Sequence, residues 1–249
     1  LRPPFQYTPL QRALKPRNST LFNISPRVAI NVYSLFPYLT IGQNKYPLKQ
    51  GYYDNFGNGT IDSDKWTTTR TFQGNSSYII SDYITEASNK ITCETYLSGI
   101  DANGWNSLLR KLISVNFRKG IDVSFDIYYD VKVSKGASDD GQWTADVAFF
   151  GPGSCSWMKS LDSNQGNNEI TGTTTIDLNW VGNTLRMKAS DEGTVRTATV
   201  SGTFLSFYFE ASSDNINYTG TAYSNSSSRV AKAHYELSNF RIRDSATRI

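Results

Sequence analysis

The chain has 249 residues and a formal net charge of +3, with 19% charged and 13% aromatic side chains. This length suits one large all-β domain or two small ones. No run of about 18 apolar residues occurs, which excludes a transmembrane helix. The two cysteines show no metal-ligand spacing.

The first 50 residues stand apart. They hold seven of the eight prolines and seven basic side chains (Arg2, Arg12, Lys15, Arg17, Arg27, Lys45 and Lys49), and the first acid is Asp54. The remaining body carries 18 basic and 22 acidic side chains, a net charge of −4. The opening LRPPFQYTPLQ lacks the apolar core of a signal peptide and fits a processed mature end. Proline at this density disfavours helix and sheet interiors, so an extended arm is expected over residues 1–50. Within it, RVAINVYSLFPYLTI is too apolar to remain solvated. Val28, Ile30, Val32, Leu35, Phe36, Leu39 and Ile41 would be buried on the chain's own sheet or donated as a strand to another copy. The basic residues are spaced singly, which argues against nucleic acid as a partner.

From residue 51 to 249 the pattern is that of short strands. Ile121, Val123, Phe125, Ile127, Tyr129, Val131 and Val133 alternate with Asp122, Ser124, Asp126, Tyr128, Asp130 and Lys132, predicting a long strand with one buried face. In GQWTADVAFFGPGS, Ala145, Val147 and Phe149 share one face, and Asp146, Ala148 and Phe150 share the other. TTTIDLNWVGNTLRMKAS reads as a hairpin turning at Gly182-Asn183. TFLSFYFEAS buries Phe204 or Leu205 with Phe207 and Phe209, and AKAHYELSNFRIRD supplies a last strand. SLLRKLISVNF is ambiguous between helix and strand. Regular turn signals between these segments predict an all-β, two-sheet antiparallel sandwich.

Six N-x-S/T sequons, at Asn18, Asn23, Asn58, Asn75, Asn217 and Asn225, exceed the roughly four expected by chance from this composition. With the polar, Tyr-rich composition they suggest an extracellular or surface-exposed glycoprotein. A disulfide between Cys93 and Cys155 would suit that setting and contribute about 4 kcal/mol.

YYDNFGNGTIDSDKW, IDVSFDIYYDV, WTADVAFFGPG, SGTFLSFYFEAS and YELSNFRI together resemble the concanavalin A-like lectin/glucanase superfamily, over about residues 52–244. The resemblance implies a jelly roll. It also implies that Asp146, matching the Asp of the legume-type lectin Ala-Asp-Gly strand, holds sugar hydroxyls, with Trp143, Trp105 and Trp157 as candidates for stacking. Val147 replaces that motif's glycine, and the lectins' metal ligands are missing, so no metal or other cofactor is expected. The oxygen-rich stretch Asp162 to Glu169 could hold a structural calcium, although a surface loop explains it as well.

The glucanases' Glu-x-Asp-x-x-Glu string is also missing. Asp122, Asp126 and Asp130 stand about 13 Å apart along one strand, too far to act in pairs. The expectation is therefore a non-enzymatic structural subunit of a filament, surface layer or viral coat, joined to other copies through the N-terminal arm. The alternative is a carbohydrate-binding lectin or adhesin using Asp146 and nearby aromatics.

Overall fold

The computed structural model describes residues 38–41, 44–47, 51–99, 107–137, 141–216, 222–224 and 226–244. Fifteen strands are present among them, with two short 3-10 turns and no α-helix. In chain order these are β1 (Tyr38–Ile41), β2 (Asn44–Pro47), β3 (Gly51–Tyr52), β4 (Thr67–Gln73), β5 (Ile79–Ala87), β6 (Lys90–Ser98), β7 (Ser107–Arg118) and β8 (Ile121–Ser134). They continue with β9 (Gln142–Phe150), β10 (Ser156–Asp162), β11 (Asn168–Val181), β12 (Thr184–Ala189), β13 (Val195–Thr199), β14 (Phe204–Ile216) and β15 (Val230–Asp244).

Two antiparallel sheets form a jelly-roll sandwich. One has five strands in the order β10-β9-β14-β7-β4. The other runs β13-β12-β11-β8-β15-β6-β5, with β3 pairing β15 as its eighth strand. The ambiguous SLLRKLISVNF is strand β7: Leu109, Ile113, Val115 and Phe117 alternate inward, a period that a helix could not bury. On β14 it is Leu205, not Phe204, that enters the core, and Phe204 is 70% exposed. Gly182, at φ +60, makes the tight turn between β11 and β12.

The core is aromatic. Phe240 stacks almost parallel on Phe125 (5.2 Å, 5°) and Phe117 (5.8 Å, 14°), and Trp66 stands edge-on to it at 5.2 Å. A β-bulge in β15 makes this placement. Between Ser238, opposite Asp126, and Arg241, opposite Ser124, two residues oppose Phe125 alone. Asn239 takes φ +52 and is exposed, so Phe240 turns inward. Near the entry to the sandwich, Asp54 accepts from the Phe56 backbone (3.0 Å) and from Trp66 Nε1 (2.9 Å), and pairs with Lys65 at 3.7 Å. The acid and the Lys-Trp pair in YYDNFGNGTIDSDKW thus clamp one loop.

The expected disulfide does not form. Cys93 and Cys155 are both free and fully buried. Cys93 lies on β6, whereas Cys155 Sγ faces the carbonyls of Leu185 on β12 (3.8 Å) and Arg196 on β13 (3.9 Å). From β12 to β6 is four strand spacings, about 19 Å, well beyond disulfide reach. Burial pushes the Cys93 thiol up to about 12. Reductant should therefore leave the melting temperature unchanged, and a thiol reagent should react only after unfolding. A melting point lowered by reductant would contradict this arrangement.

Of the arm's apolar residues, Leu39 and Ile41 lie in β1, which pairs with β2 as a two-stranded hairpin. Val28, Ile30, Val32, Leu35 and Phe36 lie outside the described residues, as do Trp105 and the sequons Asn18, Asn23, Asn217 and Asn225.

Candidate functional site

Strand alternation sends every second residue of the five-stranded sheet away from the core. The outward residues of β9 are Gln142, Thr144, Asp146, Ala148 and Phe150, and those of β14 are Phe204, Ser206, Tyr208, Glu210, Ser212 and Asp214. The register sets Phe150 opposite Tyr208, Ala148 opposite Glu210, Asp146 opposite Ser212, and Thr144 opposite Asp214. Arg110 of β7 stands on the other side of Ser212, and Ser160 of β10 on the other side of Asp146.

The Gly151-Pro152-Gly153 turn fixes this register. Gly151 N–H donates to the Cys155 carbonyl at 2.7 Å, and a Cβ on Gly151 would meet that oxygen at 2.8 Å. Phe150 is thereby held opposite Ser156 at the start of β10.

The face has two halves. One is apolar and aromatic: Phe150 (36% exposed), Tyr208 (38%) and Met158 (51%), with Phe204 beyond them. The other is carboxylic. Asp146 is diagonal to both Glu210 and Asp214, a relation that places such residues about 7–8 Å apart. Glu210 is only 9% exposed and pairs with Arg110 at 3.2 Å.

All three acids hold their protons more tightly than usual, and burial is the main cause in each. For Asp146, a hydrogen bond from Ser160 and the charge of Arg110 oppose it. For Glu210, burial outweighs the Arg110 charge, and Asp146 adds repulsion. Asp214 is pushed up to about 6 by burial and by Asp146, against the Asn215 backbone N–H and Arg110. Asp214 Oδ1 is buried without a hydrogen-bond partner.

An ordinary Asp titrates near 3.9, so the folded state binds the Asp214 proton more tightly than the unfolded chain does. The stability this gives is full below the unfolded value and is lost as pH rises through about 6. Asp214→Asn is expected to raise unfolding free energy at neutral pH by about 1–3 kcal/mol and to change it little near pH 4. Urea titrations at the two pH values would show this, and equal effects at both would exclude it.

Of the residues expected to bind sugar, Asp146 is on this face. Trp143 and Trp157 are not: they point into the core at 0% and 1% exposure, where Trp157 Nε1 donates to Asp191 at 3.1 Å. They share parity with the buried residues, so stacking on a ligand is closed to them. The aromatics that are available, Phe150 and Tyr208, share parity with Asp146 and Glu210. That parity was the signal in the sequence.

The Asp stripe of β8 lies on the opposite sheet and is engaged structurally. Asp122 accepts from Trp180 N (2.9 Å) and Arg243 (3.2 Å). Asp126 accepts from Thr175 (2.7 Å) and Asn239 (2.6 Å), and Asp130 from Lys232 (2.7 Å). A cavity of about 220 Å³ beside Asp122 is lined by Ser124, Asp177, Asn179, Arg241 and Arg243, remote from the carboxylic strip. The Asp162 to Glu169 stretch is a capped 3-10 turn, with Asp162 accepting from Asn164 N and Gln142. Among the described residues no group of three or more His, Cys, Asp or Glu could hold a metal ion.

This strand order and two-sheet packing decide the fold. The chain is a two-sheet antiparallel sandwich of the jelly-roll kind. No family model matches it, and no curated protein does. Several solved structures are similar over most of their length at low identity. A β-1,3-glucanase from Mycobacterium marinum is 10% identical, with 79% of this chain and 97% of that one covered at a TM-score of 0.37. The marine PL7 alginate lyase from Zobellia galactanivorans is 13% identical, covering 73% and 96% at 0.35. The endo-β-1,3-glucanase from Pyrococcus furiosus is 9% identical, covering 84% and 99% at 0.32.

Two expectations are corrected. The expectation of a structural filament or coat subunit is not supported: the solved sandwiches this chain is similar to are glucanases and an alginate lyase, not coat or filament subunits. The expectation of no catalysis falls with it. It was built on the missing Glu-x-Asp-x-x-Glu string and on the Asp stripe of β8, whereas the register of β9 and β14 sets Asp146 diagonal to Glu210 and Asp214. Among the described residues no helix is long and apolar enough to cross a membrane.

Proposed function

We propose that this protein binds a carbohydrate chain along the outer face of the five-stranded sheet. The observation that carries the reading is the register of β9 and β14, which sets an exposed aromatic pair, Phe150 and Tyr208, beside Asp146, Glu210 and Asp214. Sugars offer apolar ring faces and hydroxyl donors. The aromatic half matches the first, and carboxylates flanked by Ser160, Ser212 and Arg110 match the second. Titration calorimetry against a panel of soluble polysaccharides tests it. The native chain should bind a member of the panel, and the Phe150→Ser/Tyr208→Ser double variant should lose that binding while keeping its circular dichroism. Equal binding by both proteins would remove the face from consideration.

A second reading, cleavage of the bound glycosidic bond, is favoured by the diagonal carboxyl pairs. Paired carboxyls cleave with inversion when about 6.5–9.5 Å apart, and side chains carried on strand diagonals about 7–8 Å apart can reach such a separation. Asp214, holding its proton to about 6, supplies a general acid, and Asp146 the partner that activates water. Glu210→Gln would change binding, whereas Asp214→Asn would lower release of new reducing ends about 100-fold or more with binding retained. Hydrolysis undiminished in Asp214→Asn would end this assignment. An extracellular setting suits both readings. Asn58 and Asn75 sit exposed in side-chain-capped turns, and a mobility shift on deglycosylation of the native protein would test it.

A further inference from the structure

We infer that this face selects glycans by charge and that a proton sets the choice. Uncharged sugar chains are taken at neutral pH, and uronate-bearing chains only once the carboxylic strip is protonated. The inference rests on the reading that the face binds carbohydrate, and concerns which carbohydrate it admits.

The charge around Asp214 is one-sided. Its own strand brings Glu210. From β9 comes Asp146 on the diagonal, with uncharged Thr144 directly opposite. From β7 comes Arg110 on the diagonal, with Leu108 opposite. Beyond Thr144, β10 brings Asp162, one of whose oxygens accepts a hydrogen bond from Gln142 at 2.7 Å. The edge strand β4 turns only Thr69, Thr71 and Gln73 toward these rows, since Arg70 is drawn to Asp82 on β5. Arg110 is thus the one cation among the described residues of these rows, and Glu210 already engages it at 3.2 Å. Arg118 is on the same face but opposite Phe204, eight residues and about 27 Å from Arg110.

A uronate laid along the strip at neutral pH meets several carboxylates and a guanidinium that is already paired. The partial burial of Glu210 and Asp146 keeps salt and water from screening that repulsion. A neutral sugar meets the same carboxylates as acceptors for its hydroxyls. Protonation reverses the relation to a uronate. The carboxyl O–H becomes a donor to the ligand carboxylate, a short charge-assisted bond replacing a like-charge contact. The order of events favours this, because the strip takes its protons at a higher pH than a free uronic acid, which titrates in the ordinary carboxylate range near 3.5. There is consequently a window in which Asp214 is protonated and the ligand is still charged. The aromatic half gives no preference between the two ligand classes.

The test is titration calorimetry at about pH 7.5 and about pH 5 with a panel of neutral gluco- and manno-oligosaccharides and an alginate oligosaccharide of matched length. A neutral ligand should bind within about threefold at both pH values, while alginate should bind at least about tenfold more tightly at the lower one. Asp214→Asn, which is expected to fold at least as well as the native chain, should bring alginate binding to the higher pH. Glu210→Gln gives a second variant with the same expected direction. Alginate binding that is equal at the two pH values, or unaltered in both variants, overturns the charge selection while leaving a carbohydrate site in place. Failure of every neutral and anionic ligand at both pH values removes the carbohydrate reading itself, and this inference with it.

Discussion

Asp146→Ala is expected to weaken carbohydrate binding about 10- to 150-fold while leaving the melting temperature unchanged or slightly higher. The affinity loss follows from the loss of hydrogen bonds to a charged acceptor, about 1.5–3 kcal/mol. The stability expectation follows from the environment of the side chain. Burial disfavours the Asp146 charge, and that charge in turn raises both Glu210 and Asp214. Removing it relieves repulsion and leaves no inward-facing cavity, because the side chain lies outside the core. Calorimetric affinity and thermal unfolding of the one variant separate the two effects. A variant that melted well below the native protein yet bound sugar normally would recast Asp146 as a structural acid.

Phe240→Ala should have the largest effect on the fold, a loss of about 3–5 kcal/mol and a fall in melting temperature of about 6–20 °C. Phe240 is fully buried, stacks on Phe125 and Phe117, and packs edge-on against Trp66 and Phe209. Truncation would leave a cavity between both sheets and the loop clamped by Asp54. Phe240→Leu, which keeps most of the volume, should cost clearly less. If the two substitutions proved equally mild by urea unfolding, the aromatic stack would not be the centre of the core.

Much of the fold could be read from residue types. The alternation in Ile121 to Ser134 and the Gly182-Asn183 turn are local signals, and each element lies where these predict. The outward parity of Asp146 was likewise visible in TADVAFF. What the chain does not display locally is which strand lies beside which. The carboxylic strip exists because β14 lies between β9 and β7, placing Glu210 and Asp214 diagonal to Asp146 across 64 and 68 residues of sequence. The tryptophans misled for a related reason. Trp143 and Trp157 are large and amphipathic, as sugar-stacking residues are, but one position of parity commits them to the core. The disulfide failed on topology alone, since two cysteines in a 249-residue chain say nothing about the four strand spacings that separate them.

The bulge at Asn239 divides β15 into two reading frames. Upstream, odd-numbered residues such as Ala233, Tyr235 and Leu237 are inside; downstream, even-numbered Phe240 and Ile242 are. Asn239 is the surplus letter between them. Its deletion would join the frames with every other side chain still facing its own side, at the cost of the 2.6 Å bond to Asp126 and the local bend. Deleting a residue a few positions earlier or later would instead turn one frame over, sending side chains such as His234 or Arg241 inward and core residues out. In a library of single-residue deletions across the last strand, position 239 should therefore stand out as the tolerated one.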